Sequence, residues 1–141
     1  MYMREDLAPC FAESARRAIF FSKYEAAKAE SPRVEVEHLL LGILRERAKA
    51  LEHIAHASHV SLDSIRRKLD TLKTTAIGGA SELPFAPAAE RVLEAAAENH
   101  GPEAATTIDL LIAILNGPRC RARDVLEEGG LTISILAREQ T

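Results

Sequence analysis

The chain states one pattern twice. Phe11-Ala12-Glu13-Ser14-Ala15-Arg16-Arg17 returns as Phe85-Ala86-Pro87-Ala88-Ala89-Glu90-Arg91, and Leu39-Leu40-Leu41-Gly42-Ile43-Leu44 returns as Leu110-Leu111-Ile112-Ala113-Ile114-Leu115. The first pair is offset by 74 positions and the second by 71, so the copies match if a connection in the second is about three residues shorter. Loops tolerate such a shift. A duplicated unit carries one apolar face that its twin covers, and any functional surface is expected in two related copies. The 141 residues then make one domain, with repeat one at about 11–73, a linker at about 74–84 and repeat two at about 85–140.

The spacing of apolar residues reads as all-α, four helices in each copy and eight in total. Phe11, Ala15, Ala18, Ile19, Ser22 and Ala26 recur at helical spacing, giving a first helix to about Ala29 that Ser31-Pro32 ends. The helix of Leu39–Leu44 follows, then one marked by Leu51, Ile54 and Ala55, then one capped by Ser61 that carries Leu62, Ile65 and Leu69. Thr74 to Pro84, with Gly78-Gly79, is the joint. In the second copy Pro87 suits a first helical turn, and that helix runs to about Asn99 before His100-Gly101-Pro102. Thr107 is expected to cap the helix of Leu110–Leu115, Gly129-Gly130 to end the next, and Thr132 to cap the last. The two Leu/Ile-rich helices are apolar on nearly every face and must be buried. Gly42 and Ala113 stand at equivalent positions, where small side chains let a neighbouring helix come close.

Several function classes are excluded. A formal net charge of −3 with 28% charged residues offers no broad cationic face, so no nucleic-acid partner is expected. The longest apolar runs are about six residues against the ~20 that span a bilayer, and the N-terminus has no basic-then-apolar signal pattern, so no membrane association and a cytoplasmic location are expected. Cys10 and Cys120 are too few for a disulfide framework and read as buried or half-buried thiols. No phosphate-cradling Gly-rich loop, nucleophile elbow or zinc-protease helix occurs, so neither catalysis nor a cofactor is expected.

His53, His56 and His59 fan round a helix in steps of about 60° and cannot converge on one ion, so they read as solvent-facing, with no metal. Glu35, Glu37 and His38 precede the first buried helix, where carboxylates gain about 0.3–1 kcal/mol from the helix dipole. Arg16-Arg17, Arg45-x-Arg47, Arg66-Arg67-Lys68 and the alternation Arg119-x-Arg121-x-Arg123 read as solvated faces. The alternation is the densest basic feature and suits an acidic partner.

Taken together, Phe-x-x-x-Ala-Arg, the Glu37-His38-Leu39-Leu40-Leu41-Gly42-Ile43-Leu44 core and Val60-Ser61-Leu62-Asp63, repeated as Phe85, Leu110-Leu111-Ile112 and Leu131-Thr132-Ile133, resemble the N-terminal domain of Clp AAA+ unfoldases, ClpA/ClpC type. The resemblance spans about Phe11 to Arg138. It implies two four-helix repeats related by a pseudo-twofold axis, forming a mobile, non-catalytic module that recruits protein substrates or adaptor proteins to an ATPase ring feeding a protease. A second role it allows is a stand-alone accessory that binds a Clp protease core or ring and modulates assembly. The sites it implies are the starts of the two buried helices, Val36 and Glu37 in one copy and Thr107 and Ile108 in the other. Of the Thr and Glu that some members use in each repeat to hold phosphorylated arginine, only Glu37 and Thr107 carry over. Ala12 and Ala86 stand where a capping Thr is common in the family, a loss of about 0.5–2 kcal/mol per cap. His59 stands where the second copy keeps Gly130, so a left-handed backbone there would be strained.

Overall fold

Alanine- and leucine-rich stripes at helical spacing fold into eight helices among the residues that the computed structural model describes, 10–46, 49–69, 83–99 and 104–138. They are α1 (Glu13–Lys28), α2 (Val36–Glu46), α3 (Lys49–Ala57), α4 (Leu62–Leu69), α5 (Pro87–Asn99), α6 (Thr107–Asn116), α7 (Arg121–Glu128) and α8 (Ile133–Arg138). Of the expected joint at 74–84, residues 74–82 lie outside the described residues, and so does His100-Gly101-Pro102. The shorter connection expected in the second copy falls between Phe85 and Ala105, a stretch that includes residues 100–103 outside the described residues.

The ends of the helices follow local chemistry. Ala12 precedes α1 without a side-chain cap, whereas the Ser61 hydroxyl accepts from the Ser64 amide at 3.1 Å at the start of α4. Thr107 was expected to cap α6, but the cap is Thr106. The Thr106 hydroxyl accepts from the Ile108 amide (3.2 Å) while the Asp109 carboxylate accepts from the Thr106 amide (2.8 Å), a reciprocal box that leaves Thr107 as the first helical residue. Helices α3 and α7 end alike. His59 (φ 59°) and Gly130 (φ 95°) turn left-handed, with Val60 and Leu131 donating back to Ala55 (2.8 Å) and Leu126 (3.0 Å). The strain expected at His59 is therefore present, about 1–2 kcal/mol that Gly130 avoids. Glu30 (φ 61°) closes α1 the same way.

Helices α2 and α6 form the centre. Leu39, Leu40 and Ile43 with Leu110, Leu111 and Ile114 are buried, and α2 touches α1, α4, α5, α6 and α7. The copies are tied by two isolated β-bridges, Phe11 with Ala105 and Val34 with Phe85. In the first, Ala12 donates to Ala105 and Ala105 donates to Cys10, both at 2.7 Å. In the second, Ala86 donates to Val34 (2.9 Å) and Val34 donates to Pro84 (2.8 Å). Phe11 and Phe85 are equivalent in the repeat, as are Val34 and Ala105, so each copy lends its leading segment to the other. This exchange is the pseudo-twofold axis in atomic terms.

The copies differ at the point where their first two helices cross. A Cβ on Gly42 would lie 2.7 Å from the Ser22 amide nitrogen and closer still to the Ala18 carbonyl oxygen, so only glycine lets α2 meet the α1 backbone. The equivalents of Ala18 and Gly42 are Val92 and Ala113, one size larger on each side. Helices α5 and α6 accordingly pack less closely than α1 and α2. A groove of about 370 Å³ opens between them, floored by Ala88, Val92, Ala95 and Ala113 and rimmed by Arg91, Glu94 and Glu98.

Candidate functional site

The two helix starts that carry the expected site residues each open on a hollow. At the start of α2, a hollow of about 350 Å³ is lined by Ser31, Glu35, Glu37, His38, Leu41 and Arg121 among others. At the start of α6, one of about 520 Å³ is lined by Ser14, Arg17, Glu46, Lys49 and Thr106, Thr107 and Ile108. Of the four expected residues, Glu37 is half-buried and lines the first hollow. Val36, Thr107 and Ile108 are buried, and the latter two reach the second hollow from its wall.

The starts share a backbone device but not a charge. His38 and Asp109 are equivalent in the repeat, and each accepts a hydrogen bond from the amide three residues back: His38 Nδ1 from Glu35 at 2.9 Å, Asp109 from Thr106. Because Nδ1 accepts, the proton of neutral His38 sits on Nε2, which is buried without a hydrogen-bond partner among the described residues. Burial holds the imidazole below its ordinary pKa, against the opposing pull of Glu37, Glu35 and Glu25. The first hollow thus presents carboxylates with Arg121 on its wall, and the second presents threonines with Arg17, Lys49 and the Glu46 carboxylate. Arg17 is itself held by Glu46 (2.8 Å) and Glu13 (3.1 Å).

One buried charge was not anticipated. Glu25 is 2% exposed and faces Arg66 at 3.0 Å, Arg45 at 3.4 Å and Lys28 at 3.8 Å, while Arg66 also donates to the Leu41 carbonyl. The signal was there, since Glu25 lies three and seven positions after Ser22 and Ala18 on the same buried stripe. Outside this cluster, α1 exposes two large apolar side chains, Phe20 (63%) and Tyr24 (41%), both of which the buried stripe of α1 leaves on the opposite face.

The basic alternation runs into the first turn of α7, with Arg119 and Arg121 exposed and Arg123 half-buried, and each arginine is paired on that surface. Arg119 pairs with Asp124 (3.1 Å), Arg121 donates to the Lys68 carbonyl (2.8 Å), and Arg123 donates to the Gly117 carbonyl (2.8 Å) and lies 3.4 Å from Glu127. His53, His56 and His59 are exposed, and no group of three or more metal-ligating side chains gathers among the described residues. Cys10 and Cys120 are half-buried and not joined in a disulfide. No helix among the described residues is long and apolar enough to cross a membrane.

Residues 10–129 match the family model for the Clp repeat (R) N-terminal domain. The chain is 32% identical over 127 residues to an ATP-dependent Clp protease ATP-binding subunit ClpA homolog of Trieres chinensis, covering 87% of this chain and 14% of that protein. It is 29% identical over 136 residues to the chloroplastic chaperone protein ClpD2 of Oryza sativa subsp. japonica, covering 92% and 14%. The chain therefore spans about one-seventh of the length of these relatives. Its fold superposes on the N-terminal domain of the caseinolytic-protease-associated chaperone ClpD of Arabidopsis thaliana with a TM-score of 0.70 at 25% identity, covering 92% of this chain and 90% of that one. A chain from a malarial protein secretion system shares the fold at a TM-score of 0.75 and 12% identity, with 92% of each chain covered.

Proposed function

The chain belongs to the Clp repeat N-terminal domain family, and from that premise we propose that it is a non-catalytic protein-binding module that recruits substrates or adaptor proteins to a Clp-type AAA+ unfoldase and its protease in the cytoplasm. The observation that carries this reading is the pair of hollows at the starts of α2 and α6, where a rigid core holds polar side chains beside unfilled space. Glu37, with Val36 behind it, favours basic or amide-rich segments at the first. Thr107 and Ile108, beside Arg17 and Lys49, favour a ligand of other charge at the second. The two sites are therefore unlike, and a partner engaging both carries two different signals.

The test is capture from native lysate with the intact chain and its Glu37→Ala variant, the captured proteins being identified by mass spectrometry. Recruitment predicts a set of unfoldase substrates or adaptors that shrinks with Glu37→Ala. Capture of protease-core or ring subunits alone, unchanged by the substitution, would instead favour the accessory role in assembly.

A further inference from the structure

Phe20 and Tyr24 lie one turn apart on the solvent face of α1, and they are the large apolar side chains that the described residues leave exposed, at 63% and 41%. The helix has already met its packing needs on the other face, through Ala15, Ala18, Ile19, Ser22 and Ala26. Phe20 contributes little to that core and adds apolar surface to water.

The ridge is held in place. The Phe20 ring meets Phe21 edge to face, with centroids 5.9 Å apart. The Arg45 guanidinium lies 4.7 Å from the centre of the Tyr24 ring and 5.5 Å from that of Phe21, and the Lys28 ammonium lies 5.6 Å from Tyr24. Arg45 is anchored from behind by the buried Glu25 carboxylate. Side chains fixed in this way lose little freedom when a partner covers them.

The charge around the ridge is positive in a chain whose net charge is −3. Arg16 stands one turn before Phe20 and has no acidic partner among the described residues, and Lys28 and Arg45 flank Tyr24. The nearby carboxylates are engaged, Glu13 and Glu46 with Arg17, and Glu25 inside the fold. Rigid aromatics beside arginine are the groups that dominate protein interfaces.

We propose that the Phe20–Tyr24 ridge of α1 docks an acidic segment of another protein that carries an apolar anchor side chain. Two copies of the ridge would set cations against cations, so self-association is disfavoured. A lipid surface fits less well, because the long apolar face such binding needs is, in α1, already buried in the core. The inference stands apart from the helix-start hollows, since none of Phe20, Phe21, Tyr24 and Arg45 lines either one.

The test probes a peptide array with the labelled full chain. One set of spots combines Asp and Glu with Phe or Leu at varied spacing, and a twin set carries Lys and Arg in place of the acids. The expected result is binding to the acidic set, weakened by added salt, lost at least about tenfold in Phe20→Ser and in Tyr24→Ser, and weakened in Arg16→Glu. Circular dichroism confirms that each variant keeps its helices, which exposure of the substituted side chains leads us to expect. The proposal is overturned if acidic and basic sets bind alike, if neither binds, or if Phe20→Ser binds as the wild type does. It is equally overturned if the substitution instead abolishes a concentration-dependent dimer seen by light scattering, or binding confined to anionic phosphatidylglycerol vesicles.

Discussion

Replacing Gly42 by alanine should destabilise the domain although alanine is the better helix former. In the interior of α2 the exchange would, on propensity alone, stabilise by about 1 kcal/mol. The new methyl, however, would stand 2.7 Å from the Ser22 amide nitrogen and 3.0 Å from its Cα, and nearer still to the Ala18 carbonyl oxygen. These are backbone atoms, so no rotamer change relieves the clash. Ordinary contact begins at 3.4 Å, so α1 must retreat from α2 by about 0.7 Å or more, a gap that forfeits roughly a quarter to a half of the dispersion attraction along the seam. Overpacking of this kind costs about 1–3 kcal/mol, here at the upper end, and the net loss is then about 2 kcal/mol. For a domain of this size that lowers the melting temperature by about 5–10 °C, read by circular dichroism and checked by urea titration. Gly117→Ala is the control. Its Cβ would meet the Ala113 carbonyl at 3.4 Å, so it should be neutral or stabilise by up to about 1 kcal/mol. A Gly42→Ala protein that melts at or above the wild-type temperature would refute the close-approach argument.

His59→Gly should stabilise by about 0.5–1 kcal/mol, because relief of the left-handed backbone outweighs the extra freedom of glycine in the unfolded chain, and a urea midpoint higher than that of the wild type would show it. Glu25→Ala should cost about 1–3 kcal/mol in the same titration, less than a fully buried pair because Arg45 and Arg66 are partly in water. Acidification should weaken the fold through His38. Its folded pKa lies below the ordinary 6.5, so below neutrality the unfolded chain binds more protons, and stability present above about 6.5 is lost as pH falls through the depressed folded value. Unfolding midpoints between pH 7.5 and 5 should fall less steeply for His38→Asn, whose side-chain oxygen can replace Nδ1 as acceptor, and an unchanged slope would remove His38 from the account.

Periodicity exposed the architecture because the core is made of helices whose burial is written into residue spacing. Leu39–Leu44 and Leu110–Leu115 have no polar face to offer, so their central position was readable before any coordinates. The left-handed turn at His59 was equally legible, since its partner in the duplication is a glycine. What escaped was decided between elements. The cap at Thr106 rather than Thr107 depends on which of two adjacent threonines meets the Asp109 carboxylate, and spacing alone ranks both. Glu25 sat on the buried stripe, but its tolerance there depends on Arg45 and Arg66 arriving from two other helices. The alternating arginines do form a surface, as their pattern suggested, but the reach of Arg121 to the Lys68 carbonyl on α4 is a tertiary matter that spacing does not carry. Phe20 is a different case: helical spacing already leaves it off the Ala15–Ala26 stripe, and the structure adds how far it stands in water.

The two exchanged bridges bear on ancestry. Each hydrogen-bonded pair joins one copy to the other, so a single copy alone could satisfy neither. A lone ancestral repeat would have met the same bonds by pairing with a second, identical chain across an isologous twofold interface, each protomer lending its leading segment to its mate. Joining two such chains in one would make that dimer covalent and free the halves to diverge. The halves do differ at equivalent positions: glycine stands at one crossing and alanine at the other, and glutamate at one helix start and isoleucine at the other. Within one chain the exchanged bridges hold the halves together whether or not the rest of the two copies stays symmetric.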